Sequence, residues 1–394
     1  MRKIYFTICL MLIAASGSAQ WIAQTSGTIY GLGSVYFTDA NTGYAVGCAG
    51  TILKTINGGT NWTGQTSGTT ELLWSVYFTN ANTGYAVGDG GTILKTINSG
   101  TYWSAQSSGT TYSLLSVYFT DANTGYAVGW IGTIRKTSNA GTNWTAQTSG
   151  TTSDLETVYF INASTGYVVG DDGIILKTVN GGTSWSVLTS GTTDHLYSVY
   201  FTDANTGYVV GYNGTILKTS DGGTSWIAQT SGTSNDLNSV YFTDANTGYA
   251  VGWYGTIKKT INGGANWTAQ TSGTTDGLWS VYFTDANTGY AVGGNTLGVI
   301  LKTTNGGNSI EENQLTESAI SIYPNPAREK INIVIASETK QSHLEIYDMQ
   351  GQLVKQIPNP QSPVEIDVSA LAKGIYLVKV KTENGIINKK LIIQ

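Results

Sequence analysis

The sequence repeats itself every 41 residues, and this period restricts the possible folds more than any other feature of the chain. The tripeptide Val-Tyr-Phe begins at Val35 and recurs at this spacing until it has appeared seven times. A tryptophan column that starts at Trp21 has the same period and also seven members. Repetition at a fixed period of roughly 20–50 residues is typical of solenoids and propellers.

Each repeat contains four strand-like segments, for example residues 198–202, 207–210, 215–219 and 226–230. Four strands of about 5–6 residues, with hairpin loops of about 2–5, need roughly 40 residues. A four-stranded propeller blade has this length, whereas a β-solenoid coil, the alternative, is usually shorter. Apolar residues at helical spacing do not occur. The repeat therefore predicts an all-β fold, a seven-bladed β-propeller.

The repeats are offset in a way that predicts how the ring closes. Residues 21–28 look like a fourth strand without the first three, and residues 280–307 supply three strands without a fourth. After a short insertion near residues 295–297 the pattern decays, and Ile310 stands where the next tryptophan would be. We expect the first strand to complete the last blade, because an open seam would expose unpaired strand edges.

The N-terminus has the features of a secretory signal peptide over residues 1–19. Arg2 and Lys3 precede an apolar stretch over residues 4–15, and a small-residue cleavage site leads to Gln20. The stretch is too short to span a membrane, and no other apolar run approaches that length. Only Cys48 remains after cleavage, so an intramolecular disulfide is impossible.

Charge argues against a nucleic-acid partner. Residues 20–312 carry 17 acidic and 9 basic side chains, whereas nucleic-acid binding needs a basic surface.

The small number of histidine and cysteine residues also limits the enzymatic chemistry that the chain can perform. His195 and His343 are the only histidines and lie in different predicted domains, so neither a histidine-based metal site nor a Ser-His-Asp triad can be assembled. Cys48 has no convincing base partner. We expect no metal and no cofactor.

Residues 219–226, Thr-Ser-Asp-Gly-Gly-Thr-Ser-Trp, resemble the Asp-box of sialidase-like propellers. In this turn an Asp or Asn side chain caps its own loop, glycine takes a strained backbone angle and Trp packs into the blade. The resemblance implies a structural role rather than a catalytic one. The residues assigned to this turn are Asn57, Asn180, Asp221 and Asn262.

Residues 20–307 are similar to the propeller of photosystem II assembly factors. The likeness lies in the repeated Gly-Tyr-Ala-Val-Gly, Ile-Leu-Lys-Thr and Asn-Gly-Gly-x-x-Trp. Members of that family bind photosystem proteins through propellers associated with a basic patch. Arg135 is the only arginine in this propeller, so we do not transfer that function.

The C-terminal residues resemble a type IX secretion sorting domain of Bacteroidetes-type bacteria. The matching segments are 322–326 (Ile-Tyr-Pro-Asn-Pro), 346–354, 374–380 and the terminal 389–394. Alternating strands with Pro and Gly turns predict a small β-sandwich, and an ordinary accessory sandwich is the alternative. The resemblance implies recognition by the type IX secretion machinery and a secreted or outer-cell-surface location. The predicted domains are a propeller over 20–309, a linker over 310–318 and a sorting domain over 319–394.

Comparison of the repeats separates two ends of the propeller. In a four-stranded meander, the first-to-second and third-to-fourth loops share one end, and these are nearly constant. The second-to-third loops and the inter-blade loops share the other end, and these vary. Neutral drift of exposed loops would also produce this pattern. The abundance of Trp and Tyr beside carboxylates favours a ligand site for sugar rings or peptide segments. The candidate ligand-binding residues are Trp74, Asp89, Tyr112, Trp130, Asp171, Asp172, His195, Tyr212, Trp253, Tyr254 and Trp279.

We favour a secreted or cell-surface, non-enzymatic binding or adhesion propeller whose ligand is a carbohydrate or a protein. One alternative is a glycoside hydrolase of the Asp-box kind, which would need two suitably spaced carboxylates. A sialidase is excluded, because it needs several arginines to hold the substrate carboxylate. A further alternative is an assembly or scaffold factor for other exported proteins.

Overall fold

The computed structural model of the protein describes residues 20–295, 297–308, 320–335, 341–348, 351–358, 360, 362–382 and 385–394. Its chain divides into two compact units, Met1–Asn308 and Ser309–Gln394. The expected signal peptide, residues 1–19, and the expected linker, residues 310–318, lie outside the described residues. Among the helices that are described, none has the length and apolar character needed to cross a membrane.

In the described part of the first unit, the strands form seven antiparallel sheets of four strands each, which confirms the seven-bladed propeller. The N-terminal strand is β1 (Ile22–Gln24). Blade 1 contains β2 (Leu32–Phe37), β3 (Gly43–Gly47), β4 (Ile52–Thr55) and β5 (Thr63–Gln65). Blade 2 contains β6 (Leu73–Phe78), β7 (Gly84–Gly88), β8 (Ile93–Thr96) and β9 (Ser104–Gln106). Blade 3 contains β10 (Leu114–Phe119), β11 (Gly125–Gly129), β12 (Thr133–Thr137) and β13 (Thr145–Gln147).

Blade 4 contains β14 (Leu155–Phe160), β15 (Gly166–Gly170), β16 (Ile175–Thr178) and β17 (Ser186–Leu188). Blade 5 contains β18 (Leu196–Phe201), β19 (Gly207–Gly211), β20 (Ile216–Thr219) and β21 (Ile227–Gln229). Blade 6 contains β22 (Leu237–Phe242), β23 (Gly248–Gly252), β24 (Ile257–Thr260) and β25 (Thr268–Ala269). Blade 7 contains β26 (Leu278–Phe283), β27 (Gly289–Gly293), β28 (Val299–Thr303) and β1. Short 3-10 helices follow the second strand at Cys48–Gly50, Asp89–Gly91, Asp171–Gly173, Tyr212–Gly214 and Trp253–Gly255.

The N-terminal strand closes the ring as the offset predicted. Strand β1 pairs antiparallel with β28, with Ile22 opposite Lys302. Trp21 is fully buried and meets Phe283 edge-on with ring centroids 5.8 Å apart. It thereby takes the place in blade 7 that a tryptophan near residue 310 would have taken.

The second strand of every blade is buried along its whole length, which explains its Gly-Tyr-x-Val-Gly sequence. In blade 1 the strand is β3. A Cβ atom on Gly43 would collide with the Phe37 ring, and one on Gly47 would collide with the carbonyl oxygen of Gly31. Only glycine permits these close approaches, because it has no Cβ.

Aromatic side chains join neighbouring blades. Tyr290 of blade 7 stacks on Phe37 of blade 1 at a centroid distance of 4.1 Å, and Trp62 meets the same Phe37 edge-on. Around the channel, the Tyr36 hydroxyl donates to the carbonyl oxygen of Phe78 in the next blade at 3.1 Å. The same bond is made by Tyr77, Tyr118, Tyr159, Tyr200, Tyr241 and Tyr282. These repeated contacts account for the constancy of Val-Tyr-Phe and of the tryptophan column.

The second unit contains two sheets that share one apolar core. One sheet consists of β29 (Ile320–Tyr323), β30 (Lys330–Ile335) and β33 (Val364–Asp367). The other consists of β31 (Gln341–Tyr347), β32 (Leu353–Pro358), β34 (Gly374–Thr382) and β35 (Gly385–Ile393). Ile331 and Ile366 of the first sheet pack with Leu344 and Val378 of the second. This is the arrangement expected of a small β-sandwich.

Candidate functional site

The loops that vary between repeats lie together at one end of the propeller. The amide of Cys48, in a second-to-third loop, donates to the carbonyl oxygen of Gly31 at 3.0 Å. The amide of Gly50 in the same loop donates to the backbone carbonyl oxygen of Glu71, in the next inter-blade loop, at 2.9 Å. We call this the variable end. At the opposite end, which we call the constant end, the amide of Gly58 donates to the backbone carbonyl oxygen of Asn41 at 2.9 Å. This bond joins the two sets of constant loops.

The constant end is used to hold the blades together. Tyr44 and Lys54 of blade 1 both donate to the carbonyl oxygen of Ser99, in a turn of blade 2, at 2.8 and 2.7 Å. The equivalent Tyr and Lys of each other blade donate to the matching turn of the next. The invariant Ile-x-Lys-Thr segment and its following turn are therefore explained by the fold.

The Asp-box-like turn has the geometry expected of a structural motif. The side-chain oxygen of Asn57 accepts a bond from the amide of Asn61 at 2.9 Å, and Thr55 accepts one from the amide of Gly59 at 2.9 Å. Asn180, Asp221 and Asn262 accept the same amide bond in their own turns. These residues lie at the constant end, away from the variable loops.

Each blade has a β-bulge in its first strand at the variable end. In blade 2, Leu73 pairs with Gly88 and Ser75 with Val87, so Trp74 has no partner in the ladder. The same shift occurs at the same place in the other blades. The bulged residues are Gly33, Trp74, Leu115, Glu156, Tyr197, Asn238 and Trp279. A bulge redirects its extra side chain and frees it from cross-strand pairing, so this position can vary without disturbing the blade.

The bulged residues lie next to the first residues of the second-to-third loops, and together we call them the mouth of the propeller. In blade 2, the indole nitrogen Nε1 of Trp74 donates to Oδ1 of Asp89 at 2.8 Å. Trp253 of blade 6 meets Trp279 of blade 7 with ring centroids 5.0 Å apart and planes at 76°. The loop residues of the mouth are Cys48, Asp89, Trp130, Asp171, Tyr212, Trp253 and Gly294.

Titratable groups gather where blades 4 and 5 meet. Nδ1 of His195 lies 2.7 Å from Oδ1 of Asp171, and the imidazole packs edge-on against Tyr212. Burial, reinforced by the carboxylates of Asp171 and Asp154, raises the pKa of Glu156 to about 8. Glu156 therefore holds a proton at neutral pH, although it lies in the strand that lines the mouth.

Tyr197, in the equivalent position of blade 5, is affected in the same direction, and burial is again the largest cause. Burial raises the pKa of Tyr197 to about 12, and the carboxylates of Asp236, Glu156 and Asp171 contribute to the rise. Glu156 and Tyr197 thus share buried surroundings with carboxylates nearby. Glu156 and Tyr197 were not among the predicted site residues. Trp74 and Trp279 stand in the same column as these two residues, but the sequence does not show that a bulge places this column beside the loops.

Several acidic residues of the variable loops have partners within the loops. Oδ1 of Asp154 accepts a bond from the amide of Ile131 at 2.8 Å, and Oδ1 of Asp236 accepts one from the amide of Asn213 at 2.9 Å. Thr215 donates to Asp194 at 2.8 Å. Asp172, a predicted ligand-binding residue, accepts from Ser153 at 3.1 Å. These four carboxylates are placed to hold the loops in shape.

The remaining predicted residues are exposed, but they do not all share one place. Trp130 is 44 % exposed, and Tyr254, the middle residue of its loop, is 70 % exposed. Tyr112 lies in an inter-blade loop and lines a separate outer groove of about 780 Å³ together with Arg135. Of the predicted residues, Trp74, Asp89, Trp130, Asp171, Tyr212, Trp253 and Trp279 belong to the mouth, His195 lies beside Asp171, Tyr254 lies beside Trp253, and Tyr112 is set apart.

The middle residue of these loops has a left-handed backbone even where it is not glycine. Ile131 has φ of 54° and Tyr254 has φ of 55°. Such angles are unfavourable for bulky side chains, and for a β-branched one above all. Strained residues of this kind are frequent at functional sites. In the described part of the chain, no group of three or more His, Cys, Asp or Glu side chains is placed to hold a metal ion.

Comparisons with known proteins agree with this description. A family model described as photosynthesis system II assembly factor YCF48 matches residues 14–97, 96–193 and 180–271. A second model, described as a secretion system C-terminal sorting domain, matches residues 321–394. The sorting-domain match indicates export by type IX secretion, with which a secreted or cell-surface location is consistent. A comparison with curated protein sequences finds no match.

Solved structures show the same fold. The structure described as YCF48 bound to D1 peptide is 20% identical and has a TM-score of 0.63, over 73% of this chain and 97% of that chain. YCF48 from Cyanidioschyzon merolae is 21% identical with a TM-score of 0.62, over 72% of this chain and 98% of that chain. The WD40 repeats of RRP9 are 9% identical with a TM-score of 0.59, over 72% of this chain and 99% of that chain. At these identities the likeness concerns the fold alone.

Proposed function

Because this chain belongs to the photosynthesis system II assembly factor YCF48 family, we propose that its propeller is an exported, non-enzymatic binding module that holds a protein or carbohydrate ligand at the mouth. The proposal separates the two ends of the ring by task. The constant end joins the blades, and the variable end meets the ligand.

The observation that carries the proposal is the bulge in each first strand. It turns one residue per blade toward the mouth, and the residues there are as different as glycine, tryptophan and glutamate. The flanking Leu and Ser or Thr hardly change. Variation at a structurally unconstrained position beside exposed aromatic side chains is what a binding surface requires, because large exposed aromatic groups are otherwise unfavourable in water.

The character of the mouth also supports a ligand. Trp253 and Trp279 form a perpendicular pair, Tyr254 is largely exposed, and the amide of Trp253 donates to the carbonyl oxygen of Asp236. Aromatic faces with a few polar groups are typical of binding sites for rings and peptide segments. One similar structure is described as YCF48 bound to D1 peptide, which supports a peptide as one class of ligand for a propeller of this kind.

The proposal is tested by a binding screen with the purified full chain. The panel contains polysaccharides of plant and algal origin and an arrayed peptide library. A triple variant, Trp130→Ala, Trp253→Ala and Tyr254→Ala, is compared with Tyr102→Ala, which removes a 67 % exposed aromatic residue from the constant end. We expect the triple variant to lose binding and Tyr102→Ala to keep it. Equal binding by the triple variant and the unmodified protein would refute the proposal.

A second candidate function is glycoside hydrolysis, and one observation favours it. A carboxyl group that holds its proton at neutral pH beside another carboxylate is the pair that such enzymes use. Glu156 has a pKa raised to about 8 by burial and by the carboxylates of Asp171 and Asp154. Release of reducing sugar from any polysaccharide of the panel, abolished by Glu156→Gln, would establish this activity instead.

A further inference from the structure

The two ends of the propeller differ in charge. At the constant end, one lysine per blade binds a turn of the next blade, and six aspartates lie in the turns nearby. Among the described residues of the variable end there are nine carboxylates and two strong cations, Arg135 and Lys258. The excess negative charge of the propeller is therefore confined to the end that varies.

Neither of those two cations neutralises the mouth. Arg135 donates to the carbonyl oxygen of Gly109 at 2.7 Å, and Lys258 donates to that of Gly232 at 2.9 Å. Both acceptors belong to inter-blade loops, and both cations replace a leucine in the third strand. Within the described residues, the mouth itself contains neither lysine nor arginine.

The carboxylates divide into those that the protein uses and those that remain available. Asp154, Asp194 and Asp236 accept bonds from neighbouring loops. Asp171 meets His195 through one oxygen. For the carboxyl group of Glu156, no hydrogen bond is found among the residues that the structure describes. Glu156 can therefore accept a hydrogen bond from a ligand that enters this side of the mouth.

Aromatic faces lie on the blades that follow. The perpendicular indoles of Trp253 and Trp279 form a corner, with Tyr254 beside Trp253 at a centroid distance of 6.3 Å. Aromatic faces attract organic cations as well as apolar groups. A neutral sugar would make use of the indoles but not of the excess negative charge, whereas a lysine or arginine side chain with its neighbouring residues would make use of both.

We propose that the mouth binds a segment of polypeptide that carries lysine or arginine, with the cationic group against the Asp171 carboxylate and the carboxyl oxygens of Glu156, and the adjoining residues against Trp253 and Trp279. This inference rests on the proposed binding function and specifies its partner. The partner is a basic peptide segment of another protein, selected by charge complementarity with the mouth.

The test uses two synthetic peptides with the purified full chain at neutral pH. In one, lysine alternates with glycine and serine; in the other, every lysine is Nε-acetylated. We expect the lysine peptide to bind at least about tenfold more tightly, with an affinity that falls as salt is added. Equal affinity for the two peptides, or no binding of the lysine peptide, would overturn the inference.

Two double variants, each of which replaces two carboxyl groups by amides, show whether the mouth is responsible. Glu156→Gln with Asp171→Asn alters the mouth, and Asp121→Asn with Asp203→Asn alters the constant end, where Asn80 and Asn162 already occupy the equivalent positions. We expect about a tenfold loss of affinity for the first pair and little change for the second. Equal losses would show attraction by overall charge and would also overturn the inference.

A third variant separates this inference from the function on which it rests. If Trp253→Ala with Trp279→Ala abolishes binding of a polysaccharide or of the acetylated peptide, and the Glu156 and Asp171 changes do not matter, the mouth is a binding site for another class of ligand. If none of the mouth variants alters binding of any panel member, both the inference and the binding function are wrong.

Discussion

The hydroxyl group of Tyr282 donates a hydrogen bond of 3.0 Å to the carbonyl oxygen of Phe37, which is 245 residues earlier in the chain. The same bond joins every other pair of neighbouring blades. The junction between the last blade and the first is therefore built like the others. What differs is the fourth strand of the last blade, which comes from the opposite end of the repeat array.

Removal of Trp21 tests the importance of that closure. Trp21 is fully buried against Phe283 and Tyr249, so Trp21→Ala should lower the free energy of unfolding by about 3–5 kcal/mol. Ile22→Ala is the control, since Ile22 follows Trp21 directly as the first residue of β1 but is 61 % exposed, and a change within about 0.5 kcal/mol is expected. Chemical denaturation measures both. Similar losses of stability in the two variants would mean that the ring is closed by the pairing of β1 and not by the burial of Trp21.

The strained loop position offers a stabilising substitution. Ile131 has φ of 54° and is half exposed, so Ile131→Gly should raise the free energy of unfolding by roughly 1 kcal/mol. Gly90, which has φ of 62° at the equivalent position of blade 2, provides the reverse experiment. Gly90→Ala should cost roughly as much. A loss of stability in Ile131→Gly would show that the isoleucine side chain makes contacts that outweigh its strain.

The turn at Asp221 should respond to acid. The hydroxyl and amide of Ser225, with the hydroxyl of Thr219, lower the pKa of Asp221 to about 2. Because the folded pKa is below the ordinary value of about 3.9, this carboxylate stabilises the fold above about pH 4, and the contribution is lost as the pH falls toward 2. Asp221→Asn should flatten this part of the curve of melting temperature against pH. An unaltered acid limb would exclude Asp221 as a cause of acid destabilisation.

The contribution of Glu156 to stability should depend on pH in the opposite direction. Burial, with the carboxylates of Asp171 and Asp154, raises the pKa of Glu156 to about 8. The folded chain then holds a proton that the unfolded chain releases near about pH 4.3. The contribution of Glu156 to the free energy of unfolding is therefore largest at low pH and is lost as the pH rises toward 8. Glu156→Gln should be less sensitive to pH between 5 and 9, as measured by chemical denaturation at several pH values.

The matched control for that experiment is Glu71→Gln. Glu71 lies in an exposed inter-blade loop, so the change replaces a glutamate by glutamine without altering a buried carboxyl group. We expect its pH profile to follow that of the unmodified protein. If both glutamine variants flatten the profile equally, the effect comes from net charge and not from the environment of Glu156.

The sequence predicts the propeller well because its repeats are periodic and physically interpretable. The spacing of Val-Tyr-Phe indicates the number of blades, and the lone leading segment at Trp21 indicates how the ring closes. The turns at Asn57 and Asp221 also follow from residue type, because an oxygen that caps its own loop needs an Asn or Asp side chain.

The candidate site could be predicted only in part. Trp74 and Trp279 were among the predicted site residues, but Glu156 and Tyr197 in the same column were not. The bulge that turns this column to the mouth arises from pairing between strands, and no residue in Leu-x-Ser or Leu-x-Thr marks it. The sequence also cannot distinguish Asp172, which bonds to a loop, from Asp171, which meets a histidine of the next blade, because that difference depends on tertiary contacts.

The bulge in each first strand has a practical consequence. Its extra residue has no opposite partner in the ladder, so the residues at seven positions around one opening can be exchanged one at a time while each blade keeps its pairing. A library randomised at these positions would sample recognition surfaces on an otherwise unaltered ring. The natural protein then represents one solution among many that the same architecture could display, and selection from such a library could redirect it to new targets.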